Sequence, residues 1–158
     1  MLEEFAVRMA ERPDDRQAIC LDVLHALPDW FGNEAAVIDY GRQCRALPVF
    51  AAYAGGEAVG FAALKQHNAF TREICVMGVQ PAHRGNGIGS ALLAACEALC
   101  REEGARFLTV KTLADTVPDE GYAATRAFYR AAGFVPLEVF PLHWDKANPC
   151  LLMAKYLG

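Results

Sequence analysis

The segment Val79–Leu93, VQPAHRGNGIGSALL, constrains the fold more than any other part of the chain. It places Gly85, Gly87 and Gly89 directly after the apolar run ICVMGV and directly before a helical pattern. From Ile88 the apolar positions Ile88, Ala91, Leu92, Ala95, Cys96 and Leu99 recur at intervals of three and four, and Gly104 ends the run. Glycine is costly at a helix start unless the backbone needs an unusual torsion or must let something approach closely. A strand, a glycine loop and a helix N-terminus are therefore predicted in one continuous run.

The remaining elements arrange themselves around that run. LEEFAVRM (Leu2–Met9) reads as a first strand. DDRQAICLDVLHAL carries a helical stripe of Ile19, Val23, Leu24 and Leu27, with Asp14 and Gln17 at capping-box spacing. NEAAVIDYGRQCR reads as a second helix capped by Asn33. Then the period changes: PVFAAYA and EAVGFAALKQ flank Gly55-Gly56, a hairpin signal, and TREICVMGV is a further strand. After the glycine helix come a short strand RFLTVKT, a helix YAATRAFYRAA closed by Gly133, and two last strands, FVPLEVF and PCLLMAKYL. The aromatic stretch PLHWDKAN reads as the loop between them. The expectation is one α/β (α+β) domain over 1–158, with a mixed, mostly antiparallel sheet of about seven strands flanked by about four helices.

Bulk properties narrow the function. The chain has 158 residues, enough for one sizeable core, and a net charge of −4, which argues against a broad grip on nucleic acid. No run approaches about 18 uninterrupted apolar residues, so no membrane span is expected. The first residues are acidic and lack the apolar core of a signal peptide, which points to a cytoplasmic protein. The six cysteines sit mostly within apolar runs, without C-x-x-C or His spacing, and read as reduced core residues rather than metal ligands.

What the glycines hold is an anion question. A Walker loop needs a lysine before its Ser/Thr, and Gly89-Ser90 has none. A nicotinamide-type dinucleotide fold places its glycines after the first strand and an acid on the next one. Here the glycines follow a late strand, and the next strand ends in Lys111-Thr112. The remaining reading uses the helix N-terminus directly: freed N–H groups and the helix dipole face one anion, with Arg84 as a charged donor. A pyrophosphate suits such a site, and nothing in it calls for a metal.

Arg84-Gly85-Asn86-Gly87-Ile88-Gly89 resembles the Gln/Arg-x-x-Gly-x-Gly/Ala signature of the GNAT-type N-acetyltransferases, and AFYRAAGF (Ala127–Phe134) resembles that family's tyrosine-bearing helix ending in Gly-Phe. The order of expected elements agrees along nearly the whole chain. The resemblance implies a GNAT-like domain that binds acetyl-CoA in a cleft where two central strands splay apart. It implies backbone contacts from Met77, Gly78 and Val79 to the pantetheine arm and acyl carbonyl. Arg84, Gly85, Asn86, Gly87, Ile88, Gly89 and Ser90 would cradle the pyrophosphate, with Phe128 beside the cofactor. Many members carry an asparagine seven residues before the tyrosine, where this chain has Tyr122.

Acetyl transfer to an amine poses two proton problems. An alkylammonium with a pKa of about 10.4 leaves roughly one molecule in two thousand nucleophilic at pH 7, and the departing thiolate, with a thiol pKa of about 8.5, benefits from protonation. Tyr129 is the acid that the resemblance implies. Glu73, on the strand expected to line the acceptor side, is the candidate base, directly or through water. The acceptor is expected to meet Trp30, Phe31, Glu34 and Tyr40, with His143, Trp144 and Asp145 from the late loop; aromatic walls and a carboxylate suit a small cationic amine.

The expected activity is thus direct transfer of acetyl from acetyl-CoA to a primary amine, of a small molecule or of a protein, in a ternary complex. A non-catalytic acyl-CoA-binding module is the alternative from another class. Pairing of two copies into a homodimer through the last strands is compatible with either.

Overall fold

The computed structural model describes residues 4–158, so Leu2 and Glu3 of the expected first strand lie outside it. The described residues form seven strands and four α-helices, with the strand order β1-β2-β3-β4-β5-β7-β6 in one sheet, matching the expected α/β class. The chain divides into two compact units: one runs to Lys65 and resumes over Ile74–Leu99, and the other holds Gln66–Glu73 and Cys100–Gly158.

The first unit begins with β1 (Ala6–Met9), paired antiparallel to β2 (Val49–Ala54). Between them lie α1 (Pro13–His25) and α2 (Glu34–Cys44). Proline opens α1 because its missing N–H is one that a first turn leaves unpaired anyway. The expected Asp14–Gln17 capping box does not form. Arg12 occupies the N-cap without a side-chain bond, and both Asp14 (2.7 Å) and Gln17 (2.9 Å) instead accept from Arg45 Nη1. The spacing was right for a box, but proline shifts the helix start and Arg45 from the end of α2 outcompetes a neutral cap. Asn33 caps α2 as expected, its Oδ1 accepting from Ala36 N at 3.2 Å. Arg16 joins the same region by donating to the carbonyls of Ala10 and Arg45, both at 2.8 Å.

β3 (Glu57–Gln66) returns from β2 across Gly55 and Gly56, whose φ values of 59° and 85° are the left-handed pair a two-residue hairpin needs. The core of this unit includes Val23, Leu24, Val37, Val49 and Phe61, each fully enclosed, and burial of each such side chain contributes about 1.5–3 kcal/mol. β4 (Thr71–Val79) follows, its last six residues in this unit, and a 3-10 turn over Pro81–His83 leads to α3 (Ile88–Glu102).

The second unit contains β5 (Phe107–Leu113), α4 (Glu120–Ala131), β6 (Val135–Asp145) and β7 (Asn148–Tyr156). Asp119 caps α4 by accepting from Tyr122 N at 3.0 Å. β7 runs between β5 and β6, antiparallel to both, with Val110 opposite Met153 and Val139 opposite Leu151. The expected loop PLHWDKAN is a correction: β6 continues through Asp145, and only Lys146 and Ala147 turn the chain. Asp145 Oδ1 accepts from Ala147 N and Asn148 N, making that turn tight. FVPLEVF was expected as a strand, but its continuation was hidden because Pro141 interrupts the pattern and every residue of β6 is exposed, so no buried face imposes alternation. No described helix is long and apolar enough to cross a membrane.

Candidate active site

The glycine loop is built as a helix entrance. Gly85 and Gly87 take φ values of 81° and 82°, the left-handed region that other residues avoid, and a Cβ at either would meet nothing within 4 Å. The glycines there are demanded by torsion, not by crowding. Gly89 differs: it lies inside the first turn of α3 without a positive φ, so its place is not a torsional one. Ile88 turns into the interior, 1% exposed, and anchors the loop, while Arg84, Gly85, Gly87 and Ser90 face solvent. Asn86 Nδ2 donates back to His83 O at 3.3 Å. The first N–H groups of α3 therefore sit behind an exposed, torsionally fixed loop, the arrangement that binds phosphate.

Met77, Gly78 and Val79 end β4 immediately upstream and are half-buried. Gly78 packs against α1: a Cβ there would lie 2.7 Å from Leu27 Cδ1 and 3.3 Å from Val23 Cγ1. Trp30 is brought to the same loop, with the Arg84 guanidinium 4.5 Å from its ring centroid. Phe31 and Tyr40 meet edge to face at 6.2 Å and, with Trp30, pack against the core. Glu34 accepts from His25 Nε2 at 2.9 Å in an exposed pair. Of the four acceptor candidates, three share the core's margin and one is engaged at the surface.

In the second unit, Tyr129 projects from α4 with 7% exposure, its ring between Phe128 (5.4 Å) and Phe134 (5.5 Å). The two aromatic edges fix its plane. Arg126, one turn earlier, is also buried and donates to Leu113 O at 2.7 Å, holding α4 to the end of β5. Tyr122 is half-buried, and burial, with Asp119 nearby, raises its phenol above the ordinary range so that it stays protonated.

Glu73 proves to be the centre of a charged cluster. Its side chain is 8% exposed, and Oε1 accepts from both His67 Nε2 (2.6 Å) and Lys111 Nζ (3.0 Å). These three groups, with Thr71, Thr109, Phe140, His143 and Leu152, line a cavity of about 380 Å³. Arg72, the preceding residue in the chain, turns away to Asn68 O and Glu103. Burial raises the Cys150 thiol, with Lys111 lowering it and Glu73 raising it. Sequence reasoning named Glu73 and His143 but missed His67, Lys111, Thr109 and Phe140. The available signal was a histidine six residues before a strand glutamate across a tight turn, which places both at one strand end. Trp144 and Asp145 do not line this cavity; Trp144 meets His143 edge to face at 5.8 Å and Asp145 makes the turn. Among the described residues no group of three or more His, Cys, Asp or Glu is placed to hold a metal ion.

Comparisons with known proteins bear on the fold and the family. A mycothiol acetyltransferase of Corynebacterium glutamicum is 36% identical over 84 residues, 53% of this chain but only 27% of that protein, so the match spans about a quarter of the relative's length. A GNAT-family protein from Desulfovibrio desulfuricans superimposes with a TM-score of 0.83 at 20% identity, covering 98% of this chain and all of the other. A GNAT-family acetyltransferase from Elizabethkingia anophelis with acetyl-CoA bound gives 0.70 at 15% identity over 96% and 97%. These two structures establish the fold. Residues 18–134, which contain the glycine loop, Glu73 and Tyr129, match the family model described as "Acetyltransferase (GNAT) family", and the chain belongs to that family.

Proposed function

We propose that this protein transfers the acetyl group of acetyl-CoA directly to a primary amine. The observation that carries the reading is the paired left-handed glycines, Gly85 and Gly87, which expose the N-terminus of α3 beside Arg84. Arg84, Gly85, Asn86, Gly87, Ile88, Gly89 and Ser90 hold the pyrophosphate. Met77, Gly78 and Val79 supply backbone bonds to the pantetheine arm, and one strand N–H polarises the acetyl carbonyl. Phe128 lies against the cofactor. Tyr129 protonates the departing coenzyme A sulfur, a role that suits a phenol, since phenols ionise only near pH ~10 and carry their proton at neutral pH. The acceptor's proton leaves on the Glu73 side, and the cavity between Glu73, Lys111, Phe140 and His143 receives the amine. Trp30, Phe31, Glu34 and Tyr40 are the further candidates for contacts to the acceptor. No metal takes part.

The name of the mycothiol acetyltransferase does not choose the acceptor for this chain, which spans only about a quarter of that relative. The acceptor class is an amine of a small molecule or of a protein.

We further infer that two copies pair through β6. That strand is the sheet edge, and Val135, Leu137, Leu142 and Trp144 are between 44% and 73% exposed on it. An apolar edge of this length is a template for another strand.

A thermal-shift titration with acetyl-CoA, with NAD as control, tests the cofactor. Ligand at about one hundred times its Kd adds roughly 2.7 kcal/mol, and each kcal/mol raises the Tm of a domain this size by about 2–4 °C. A shift of several degrees with acetyl-CoA and none with NAD is expected. No shift at millimolar acetyl-CoA overturns the reading. Release of coenzyme A with a panel of primary amines then separates an enzyme from a binding module.

A further inference from the structure

We propose that His67, not Glu73, takes the proton from the attacking amine, and that Glu73 is the positioning residue that fixes the imidazole for this role. The proposal rests on the transferase reading and names an atom within it.

The starting point is what Glu73 Oε1 must be. A lysine ammonium can only donate, so an oxygen 3.0 Å from Lys111 Nζ is an acceptor. The same oxygen lies 2.6 Å from His67 Nε2. With Oε1 accepting from both neighbours, Nε2 carries a hydrogen. In the neutral ring that leaves the lone pair on Nδ1. A buried carboxylate that selects one tautomer of a partly exposed imidazole is the arrangement by which histidine bases are oriented. Glu73 itself is badly placed to act as the base, because it is nearly enclosed and its Oε1 is already engaged by Lys111.

The backbone makes the arrangement rigid. His67 N donates to Thr71 O at 3.1 Å across the turn between β3 and β4. Asn68 Oδ1 accepts from Phe70 N at 2.8 Å, and Arg72 Nη1 donates to Asn68 O at 2.8 Å. Arg106 N (2.8 Å) and Phe107 N (3.0 Å) both donate to Phe70 O, fastening the turn to the start of β5. His67 is thus held over Glu73 by a pinned turn, while its side chain keeps 36% exposure and lines the 380 Å³ cavity. The other ionisable groups around the cavity are Lys111 on β5 and His143 on β6, with the Cys150 thiol of β7 close by.

In the step this implies, the amine lone pair forms the C–N bond at the acetyl carbonyl and the C–S bond breaks with its electrons on sulfur. The amine proton passes to His67 Nδ1, and the sulfur takes the phenolic proton of Tyr129. Solvent then removes the proton from the exposed imidazole and restores the phenol, so the sum is amide and coenzyme A.

The test has two arms on the full chain. Nitrogen-15 histidine spectra, with the His67 signals assigned by their loss in His67→Gln, read the tautomer without acetyl-CoA or acceptor. An Nε2–H tautomer that becomes mixed in Glu73→Gln is expected; an Nδ1–H tautomer, or no change in Glu73→Gln, overturns the proposal. In the second arm, His67→Gln is expected to lose about a hundredfold or more in kcat toward amines that the parent acetylates, and the acid limb of its pH profile, while keeping the thermal shift with acetyl-CoA. Unchanged kcat and profile in His67→Gln overturn it as well. A parent protein that shows no shift with acetyl-CoA refutes the transferase reading instead, and the tautomer still decides whether Glu73 orients His67.

Discussion

The Arg84 guanidinium lies over the Trp30 indole, 4.5 Å from the ring centroid, although 54 positions separate the two residues in the chain. A cation over an aromatic ring at an exposed site contributes about 0.5–1 kcal/mol, and here it holds the one charged donor of the glycine loop in place. Trp30→Ala is expected to weaken acetyl-CoA binding about two- to fivefold by calorimetry, from the scale on which 1.4 kcal/mol is tenfold. Trp30→Phe should recover part of the loss. Equal affinity in Trp30→Ala and the parent would show that Arg84 needs no such support.

Gly78 tests the packing between β4 and the α1 region. An added methyl would meet Leu27 Cδ1 at 2.7 Å, so Leu27, itself buried, must move. Overpacking of this kind costs about 1–3 kcal/mol. Gly78→Ala should therefore lower the Tm by several degrees, and Gly78→Ala with Leu27→Val should lie closer to the parent than the single change. A Tm unaltered by Gly78→Ala would mean that the α1–β4 contact is loose.

The Asp14–Arg45 pair gives a pH dependence with a defined sign. The hydrogen bond from Arg45, and then its charge, hold the Asp14 carboxyl below the usual carboxylate value. A folded-state pKa lowered in this way stabilises the protein above the unfolded value, and the gain disappears as pH falls through the folded one. Urea midpoints of Asp14→Asn should thus fall slightly below the parent near neutral pH and converge with it in acid, once pH has fallen through the lowered carboxyl value. The effect is small because the pair is exposed. A gap that stays constant as pH falls through the whole carboxylate range would assign the loss to packing rather than charge.

The β6 edge predicts assembly. Sedimentation velocity of the parent at about 100 µM is expected to show a dimer, and Leu137→Asp with Leu142→Asp a monomer, since charges on an edge strand block pairing. A monomeric parent removes the homodimer from consideration.

Much of this architecture was readable from local chemistry. The Gly55-Gly56 turn, the Asn33 cap and the start of α3 at Ile88 each depend on residues adjacent in sequence, and each is where the pattern placed it. The readings that failed depended on distant partners. Asp14 and Gln17 are taken by Arg45, 31 and 28 positions away. The second half of β6, Pro141–Asp145, escaped notice because an edge strand exposed on both faces has no hydrophobic period to read. The site divides in the same way. The glycine loop is a contiguous motif, whereas the ion pair between Glu73 and Lys111 spans 38 positions and needs the sheet to bring it together. His67 is intermediate, six residues from Glu73, and the Asn68 turn that aims it carries a weak signal in sequence.

The placement of β7 between β5 and β6 has a consequence for how the second unit is made. Synthesis delivers β5, α4 and β6 before any residue of β7, so neither flanking strand can make its pairing with β7 until that strand emerges. β6 and β7, joined by a two-residue turn, can zip together on the microsecond scale typical of hairpins. Closing β5 against β7 must bring together segments separated by the whole of α4 and β6, and is the slower event. Until then the edge of β5 that faces β7 keeps its backbone N–H and C=O groups unpaired, and a chain stalled before Asn148 would hold that edge exposed to chaperones and to other nascent chains.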